Sequence, residues 1–153
     1  MSAMAAGLVL GSVQEGVVLE NVSRCDTPAS VYHLYDNGDW NAAKGIYRFY
    51  RDGFHSGHVV YSGNIVKAIK GSRKIIPVHR EVFFESTLKG NTVRSVQTTS
   101  ARRLGDRSED KDVLEFIFPA LTAGSVSTSY LYLIDGSVLA YGTETMPRFM
   151  CRT

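Results

Sequence analysis

The sequence predicts a mostly β protein, built as an antiparallel meander in a sandwich or barrel. Two turn signals carry this prediction, because Asp52-Gly53 and Asp135-Gly136 each lie between runs of aromatic and β-branched residues. Asp-Gly in that setting is typical of a two-residue β-hairpin, since both turn positions need φ > 0. From Gly45 onward, strand-like segments also follow one another at short, even spacing, which is the pattern of such folds.

Composition indicates one ordinary globular domain. The chain has 153 residues, of which 44% are hydrophobic and 21% charged, so we expect a single domain over 1–153 with 1–30 as a peripheral or mobile N-terminal segment. The net charge of +2 is too small to predict a nucleic-acid partner. No apolar run approaches the length of a membrane span, and Met1–Gly11 lacks the basic residues of a signal peptide. We therefore expect no membrane partner and a cytoplasmic location.

The elements are assigned in chain order. Turn sequences occur at Asp36–Asp39, Ser62–Asn64 and Lys89–Asn91, and Asn41–Lys44 is the one stretch after the N-terminus that leans helical. The charged stretch Gly105–Asp112 is predicted as a solvated loop. The predicted strands are Ser30–Tyr35, Ile46–Arg51, Phe54–Tyr61, Ile65–Ile69, Lys74–Ser86, Thr92–Arg103, Val113–Phe118, Ser125–Ile134, Ser137–Tyr141 and Arg148–Arg152.

The first hairpin gives a candidate binding surface. A two-residue turn at Asp52-Gly53 fixes the register, so that Tyr47 lies opposite His58 and shares a sheet face with it. In this aromatic setting His58 is either a hydrogen-bonded core histidine or a residue that meets a ligand. With Arg51 from the hairpin end, the candidate ligand-binding residues are Tyr47, Phe49, Arg51, Phe54 and His58.

The second hairpin gives a candidate contact surface. A two-residue turn at Asp135-Gly136 places Tyr130 opposite Tyr141 and Tyr132 opposite Leu139, and both faces of this hairpin are apolar or aromatic. A strand exposed to water on one side alternates with polar residues, so something is expected to cover the second face. Tyr130, Tyr132 and Tyr141 are the candidate surface for a homo-oligomer or the wall of a pocket.

Gly38-Asp39-Trp40 precedes the strand series. A Gly-x-Trp motif followed by about eight antiparallel strands resembles the calycin superfamily, the lipocalins and their barrel relatives. The resemblance implies a closed barrel, with Trp40 packed across its closed end under Arg148 or Arg152. Gly38–Lys44 also resembles the Gly-Asp-Trp-x-Ala turn and helix of NTF2-like proteins, which gives the alternative of an α+β curved sheet with helices.

The sequence predicts neither a metal site nor a cofactor. His55 and His58 are three residues apart and point to opposite faces of a strand, which makes them poor joint ligands. No phosphate-binding loop or nucleophile turn occurs. Cys25 and Cys151 are expected to be reduced thiols, with one bridge between the chain ends as the alternative.

Three functions remain open at this point. The first is binding of a small, largely apolar molecule in the cavity of the barrel. The second is a cofactor-independent isomerase, cyclase or dehydratase that uses general acid–base chemistry, with His58, Tyr47 and Glu81 as the suspected catalytic residues. The third is a dimeric interaction module that uses the tyrosine surface.

Overall fold

One antiparallel sheet and a short helix form the part of the chain that the structure describes. The computed structural model describes residues 24–119, 122–134 and 138–151. Each strand pairs with its neighbour in sequence, which confirms the predicted antiparallel, mostly β meander. The elements are β1 (Arg24–Leu34), β2 (Trp40–Arg51), β3 (Ser56–Ile69), β4 (Ser72–Lys89), β5 (Thr92–Arg102), α1 (Asp110–Phe116), β6 (Val126–Ile134), β7 (Val138–Gly142) and β8 (Pro147–Met150).

The sheet curls into a half-barrel, so the prediction of a closed barrel is wrong. Strand β8 has four residues and cannot pair along the eleven residues of β1. In the described ranges the two edge strands meet near one end only, where Thr27 Oγ1 donates a hydrogen bond to Met150 O at 3.2 Å. A disulfide between Cys25 and Cys151 joins the same region. The expectation of two reduced thiols is therefore wrong, and the alternative of a bridge between the chain ends is confirmed.

The core lies between one sheet face, here called the inner face, and the segment that contains α1. Val113, Phe116, Ile117 and Phe118 are all at most 9% exposed and pack against inner-face residues of β2, β3 and β4. The opposite sheet face is called the outer face. The inner-face side of this core consists of Ala43, Val59, Tyr61, Ile65, Ile76, Val78 and Val82.

Helix α1 lies where the sequence predicts a strand. The prediction rests on the short apolar run Val113–Phe118, which is typical of a strand. In the structure Val113, Phe116 and Ile117 follow the spacing of one helical face and all point into the core. Asp110 and Asp112 occupy the first turn, where carboxylates interact favourably with the helix dipole. The segment predicted as a solvated loop, Gly105–Asp112, therefore ends inside α1.

Two segments predicted to interrupt the strands, one leaning helical and one a turn, are continuous strand in the structure. Asn41–Lys44 belongs to β2, where Ala42 and Ala43 are 1% and 2% exposed, and Ser62–Asn64 belongs to β3. Gly45 and Gly63 pair across these strands. A Cβ at Gly45 would lie 2.5 Å from Ser62 O and 2.7 Å from the Tyr61 ring, so the glycine makes room for an aromatic side chain. Small residues thus mark close packing here rather than a turn.

The close packing at Gly63 gives a testable prediction. A Cβ at this position would collide with the Lys44 carbonyl oxygen and with the backbone of Gly45. We expect Gly63→Ala to lower the free energy of unfolding by about 2 kcal/mol, in the range of overpacked core sites. Urea unfolding followed by circular dichroism measures the change. The control is Ser62→Ala, for which we expect a change within about 0.5 kcal/mol; equal stability of both variants would refute the packing argument.

Candidate functional site

The β2–β3 hairpin has a different register from the predicted one. Arg51 pairs with Gly57, Tyr50 with His58 and Tyr47 with Tyr61, a shift of three residues. The turn is wider than two residues because the amides of Asp52 and Gly53 both donate to Ser56 O, at 3.0 and 3.1 Å. An odd shift moves side chains to the other sheet face.

This shift separates the predicted site residues. Tyr47 and Phe49 lie on the inner face, whereas His58 lies on the outer face, opposite Tyr50. Phe54 is 65% exposed in the hairpin loop, and the Arg51 guanidinium lies 5.3 Å from the centre of its ring. The prediction that His58 lies beside Tyr47 is therefore wrong.

On the inner face, Tyr47 binds the segment that follows α1. Its hydroxyl donates to Ile117 O at 2.7 Å, and its ring centre lies 4.9 Å from that of Tyr61 and 5.7 Å from that of Phe118. Burial raises the pKa of Tyr61 to about 12 and, with the neighbouring Tyr61, raises the pKa of Tyr47 further above its ordinary value. Both phenols are therefore neutral at physiological pH, and the geometry of Tyr47 is that of a packed hydrogen-bond donor.

On the outer face, a row of rings crosses the hairpin end of the sheet. The Tyr50 and His58 rings stack at 4.7 Å, and Phe83 follows 5.2 Å from His58. Asp52 Oδ2 lies 2.6 Å from His58 Nδ1 and fixes the orientation of the imidazole. Cross-strand ring pairs of this kind stabilise a sheet.

The remaining acid–base suspect, Glu81, lies on the outer face opposite Val60 and forms an ion pair with Arg103 at 3.1 Å. The three suspected catalytic residues therefore do not share one site: Tyr47 is inside, while His58 and Glu81 are outside.

At the other end of the outer face lies a surface that sequence reasoning missed. The strand registers align Tyr32, Ala42, Val66 and Ile75 in one cross-strand row. The next row contains Leu34, Trp40, Ala68 and Arg73. We call the apolar members of these rows the outer apolar patch: Tyr32, Leu34, Trp40, Ala42, Val66, Ala68 and Ile75.

Several side chains of the outer apolar patch are strongly exposed. Leu34 is 82% exposed, Ile75 64% and Tyr32 54%. Two further apolar residues flank the adjacent turns, with Tyr35 at 45% and Ile69 at 48% exposure. The two turns are joined, because the amide of Lys70 donates to Asp39 Oδ1 at 3.0 Å.

Cationic side chains border the outer apolar patch. Lys44 Nζ lies 5.3 Å from the centre of the Tyr32 ring, and Arg73 Cζ lies 5.3 Å from the centre of the Trp40 ring. Trp40 thus has Arg73 above it, whereas the resemblance implied Arg148 or Arg152; Arg152 and the side chain of Arg148 lie outside the described residues. The cationic rim consists of Lys44, Lys70 and Arg73, all exposed, and it outnumbers the two nearby carboxylates, Asp36 and Asp39.

The predicted tyrosine surface is altered by the register of β6 and β7. Tyr130 pairs with Gly142 and Tyr132 with Ala140, while Tyr141 pairs with Leu131. The predicted pairing of Tyr130 with Tyr141 is wrong by one position, because three residues connect Ile134 to its partner Val138 instead of two. Those residues, 135–137, include the Asp-Gly signal and lie outside the described residues. The register therefore does not pair Tyr141 with Tyr130, as the two-residue turn predicts.

Over the ranges that the structure describes, no group of three His, Cys, Asp or Glu side chains is arranged to hold a metal ion. In the same ranges no helix has the length and apolar character needed to cross a bilayer. Comparison of the chain with protein-family models, with curated proteins and with solved structures finds no match.

Proposed function

We propose that the protein is a non-catalytic binding module that docks through the outer apolar patch onto a partner with apolar and anionic groups. The observation that carries this proposal is the exposure of Leu34, Tyr32 and Ile75 on one sheet face, within two adjacent cross-strand rows. Exposed apolar side chains grouped on one face are typical of interaction sites.

The rest of the outer face supports the proposal by contrast. An antiparallel sheet with one solvated face carries polar side chains there. The cross-strand row of Ser30, Lys44, Asn64 and Pro77 follows that rule, as does the row of Asp26, Arg48, Val60 and Glu81, which contains three charged side chains. These polar rows separate the outer apolar patch from the ring row at the hairpin end of the same face.

The charges around the outer apolar patch indicate the chemistry of the partner. The cationic rim carries more charge than the carboxylates beside it, and the Asp39 carboxylate is already engaged by the Lys70 amide. A complementary partner presents anionic groups around an apolar surface.

Binding of a small apolar ligand at the inner face is the second candidate. It is favoured by the rings of Tyr47, Phe49 and Phe84, which are only partly buried and pack against the core. Such a ligand would lie beside the α1 segment, because the Tyr47 hydroxyl is bonded to Ile117 O. An acid–base enzyme receives less support, since its suspected residues lie on two sheet faces.

The cytoplasmic location stays a prediction of the sequence. The bond between Cys25 and Cys151 favours an oxidising compartment instead, where structural disulfides persist.

The anionic apolar dye anilinonaphthalene sulfonate tests the proposed surface. Trp40 is the single tryptophan of the chain and lies in the outer apolar patch, so dye bound there is expected to receive energy from Trp40. Replacing Leu34 and Ile75 together by Asn is expected to weaken this binding about tenfold, because two exposed apolar contacts are lost.

The matched control for the dye experiment is Phe54→Asn, which removes a 65% exposed ring from the hairpin at the other end of β2. We expect it to leave the energy transfer unchanged. Equal dye binding by all three proteins would overturn the proposed surface, and binding without energy transfer from Trp40 would favour the inner-face ligand.

A further inference from the structure

We propose that the partner of the outer apolar patch is an anionic lipid surface, an inference that rests on the proposed function and names its partner. The sequence expectation of no membrane partner came from the lack of a spanning segment. A peripheral contact needs no such segment, because it depends on exposed apolar and cationic side chains.

The position of the apolar side chains supports a lipid surface. Leu34 and Tyr35 lie where β1 enters its turn, and Ile69 lies where β3 enters the next one. The hydrogen bond from Lys70 N to Asp39 holds these two turns together at one end of the strands. Side chains that protrude from the turn end of a sheet can enter a bilayer interface directly, whereas a folded partner would need a matching groove.

The residue types support the same partner. Trp40, Tyr32 and Tyr35 combine an apolar ring with a polar group, and such rings favour the boundary between hydrocarbon and water. Lys44 and Arg73 lie over two of these rings, with flexible stems that let their charges reach lipid phosphates while the rings contact acyl chains. Lys70 is exposed at the same end of these strands.

The charges argue against a second copy of the chain as the occupant. A symmetric contact through the outer apolar patch would bring the cationic rim of one copy against the same rim of the other. Like charges placed together across an interface oppose association. An anionic bilayer instead pairs each cation of the rim with a phosphate group.

Vesicle binding tests this inference on the intact, disulfide-bonded protein. One preparation contains phosphatidylcholine alone and the other equal parts of phosphatidylcholine and phosphatidylglycerol. We expect cosedimentation with the anionic vesicles that weakens as salt increases, since the attraction is largely electrostatic. With brominated acyl chains in the anionic vesicles we expect Trp40 fluorescence to be quenched, which reports that the outer apolar patch itself enters the interface.

Charge reversal supplies the matched variants. Lys70→Glu with Arg73→Glu is expected to weaken binding to anionic vesicles more than tenfold, because both changes lie at the proposed contact. Lys89→Glu, at the opposite end of β4, is expected to leave binding within about twofold of the parent. Circular dichroism spectra equal to that of the parent show that the variants are folded.

The outcomes separate the lipid inference from the proposed function. Absence of vesicle binding with the Trp40-to-dye transfer intact would overturn the lipid surface and leave the proposed function standing. Loss of both signals would overturn both. A dimer in sedimentation velocity that is abolished by the Leu34 and Ile75 changes would assign the outer apolar patch to a second copy and overturn the lipid surface. Vesicle binding without quenching of Trp40 would also overturn the lipid contact at this patch.

Discussion

Replacing Arg80 by methionine is expected to lower the free energy of unfolding at neutral pH by about 3 kcal/mol, the scale of breaking a buried ion pair. Arg80 is 3% exposed and forms three contacts: Nε lies 3.0 Å from Asp106 Oδ2, Nη1 lies 2.8 Å from Asp110 Oδ1, and Nη2 donates to Ser108 O at 3.0 Å. The Asp106 side chain is fully buried. Without Arg80 that carboxylate loses its buried counter-charge, and urea unfolding measures the cost.

The matched control is Arg102→Met. Arg102 also contacts Asp106, at 2.8 Å, but its side chain is 51% exposed. Exposed ion pairs contribute little, so we expect a loss of at most about 1 kcal/mol. Equal losses in the two variants would contradict the view that burial makes the Arg80 contact the important one.

The Arg80 contact also predicts how stability depends on pH. Burial alone would raise the pKa of Asp106, but hydrogen bonds from His79 N and Ser108 Oγ, together with the charge of Arg80, outweigh it and hold the pKa below its ordinary value. A carboxylate whose pKa is lowered on folding stabilises the fold above its unfolded pKa, about 4. That contribution is lost as the pH falls through the lowered pKa of the folded protein.

The stability difference between the parent and Arg80→Met is therefore expected to be largest near neutral pH. It should narrow below about pH 4, because protonation of Asp106 removes the charge that Arg80 compensates. Unfolding curves recorded between about pH 2 and pH 7 test this. A difference that stays constant over this range would show that lost packing, and not the ion pair, causes the destabilisation.

The cluster around Arg80 also fixes the segment around α1 over the inner face. Asp106 and Ser108 precede α1 and Asp110 is its first residue, and all three contact this one β4 side chain. Tyr47 holds the other end of the segment through Ile117 O. The segment is thus fixed at both ends over the core.

Strand content could be predicted from this sequence, whereas register could not. Alternation of apolar and polar residues, together with turn residues, locates most strands. The pairing of β2 with β3, however, depends on the hydrogen bonds that Ser56 O accepts from the amides of Asp52 and Gly53. It also depends on Gly45, which admits the Tyr61 ring on the inner face. A slip by an odd number of residues exchanges the two faces, so the two-residue turn predicts the wrong face for His58.

Helix α1 and the outer apolar patch were missed for related reasons. A run such as Val113–Phe118 is too short to show a helical period, and only the core contacts of Val113 and Phe116 reveal it. The outer apolar patch takes its members from β1 to β4, and no single strand contains more than two of them. It becomes visible only when three registers are known together.

Replacing Cys25 and Cys151 by serine is expected to lower the free energy of unfolding by about 4 kcal/mol, the largest effect that we predict. The bond links residues 126 positions apart, and cross-linking so long a loop restricts the unfolded chain strongly. It also joins the region where the two edge strands meet through Thr27 and Met150. Urea unfolding of the double variant measures the effect, and the parent in reducing buffer is expected to match it.

Dye binding at the outer apolar patch is the internal control for the disulfide experiment. The patch is built from strands β1 to β4, whose pairing runs along whole strands and does not depend on the bond. We therefore expect energy transfer from Trp40 to persist in the folded double variant. Stability that does not respond to reductant would refute the structural role of the disulfide. Loss of energy transfer while the variant remains folded would show instead that the disulfide controls the geometry of the outer apolar patch.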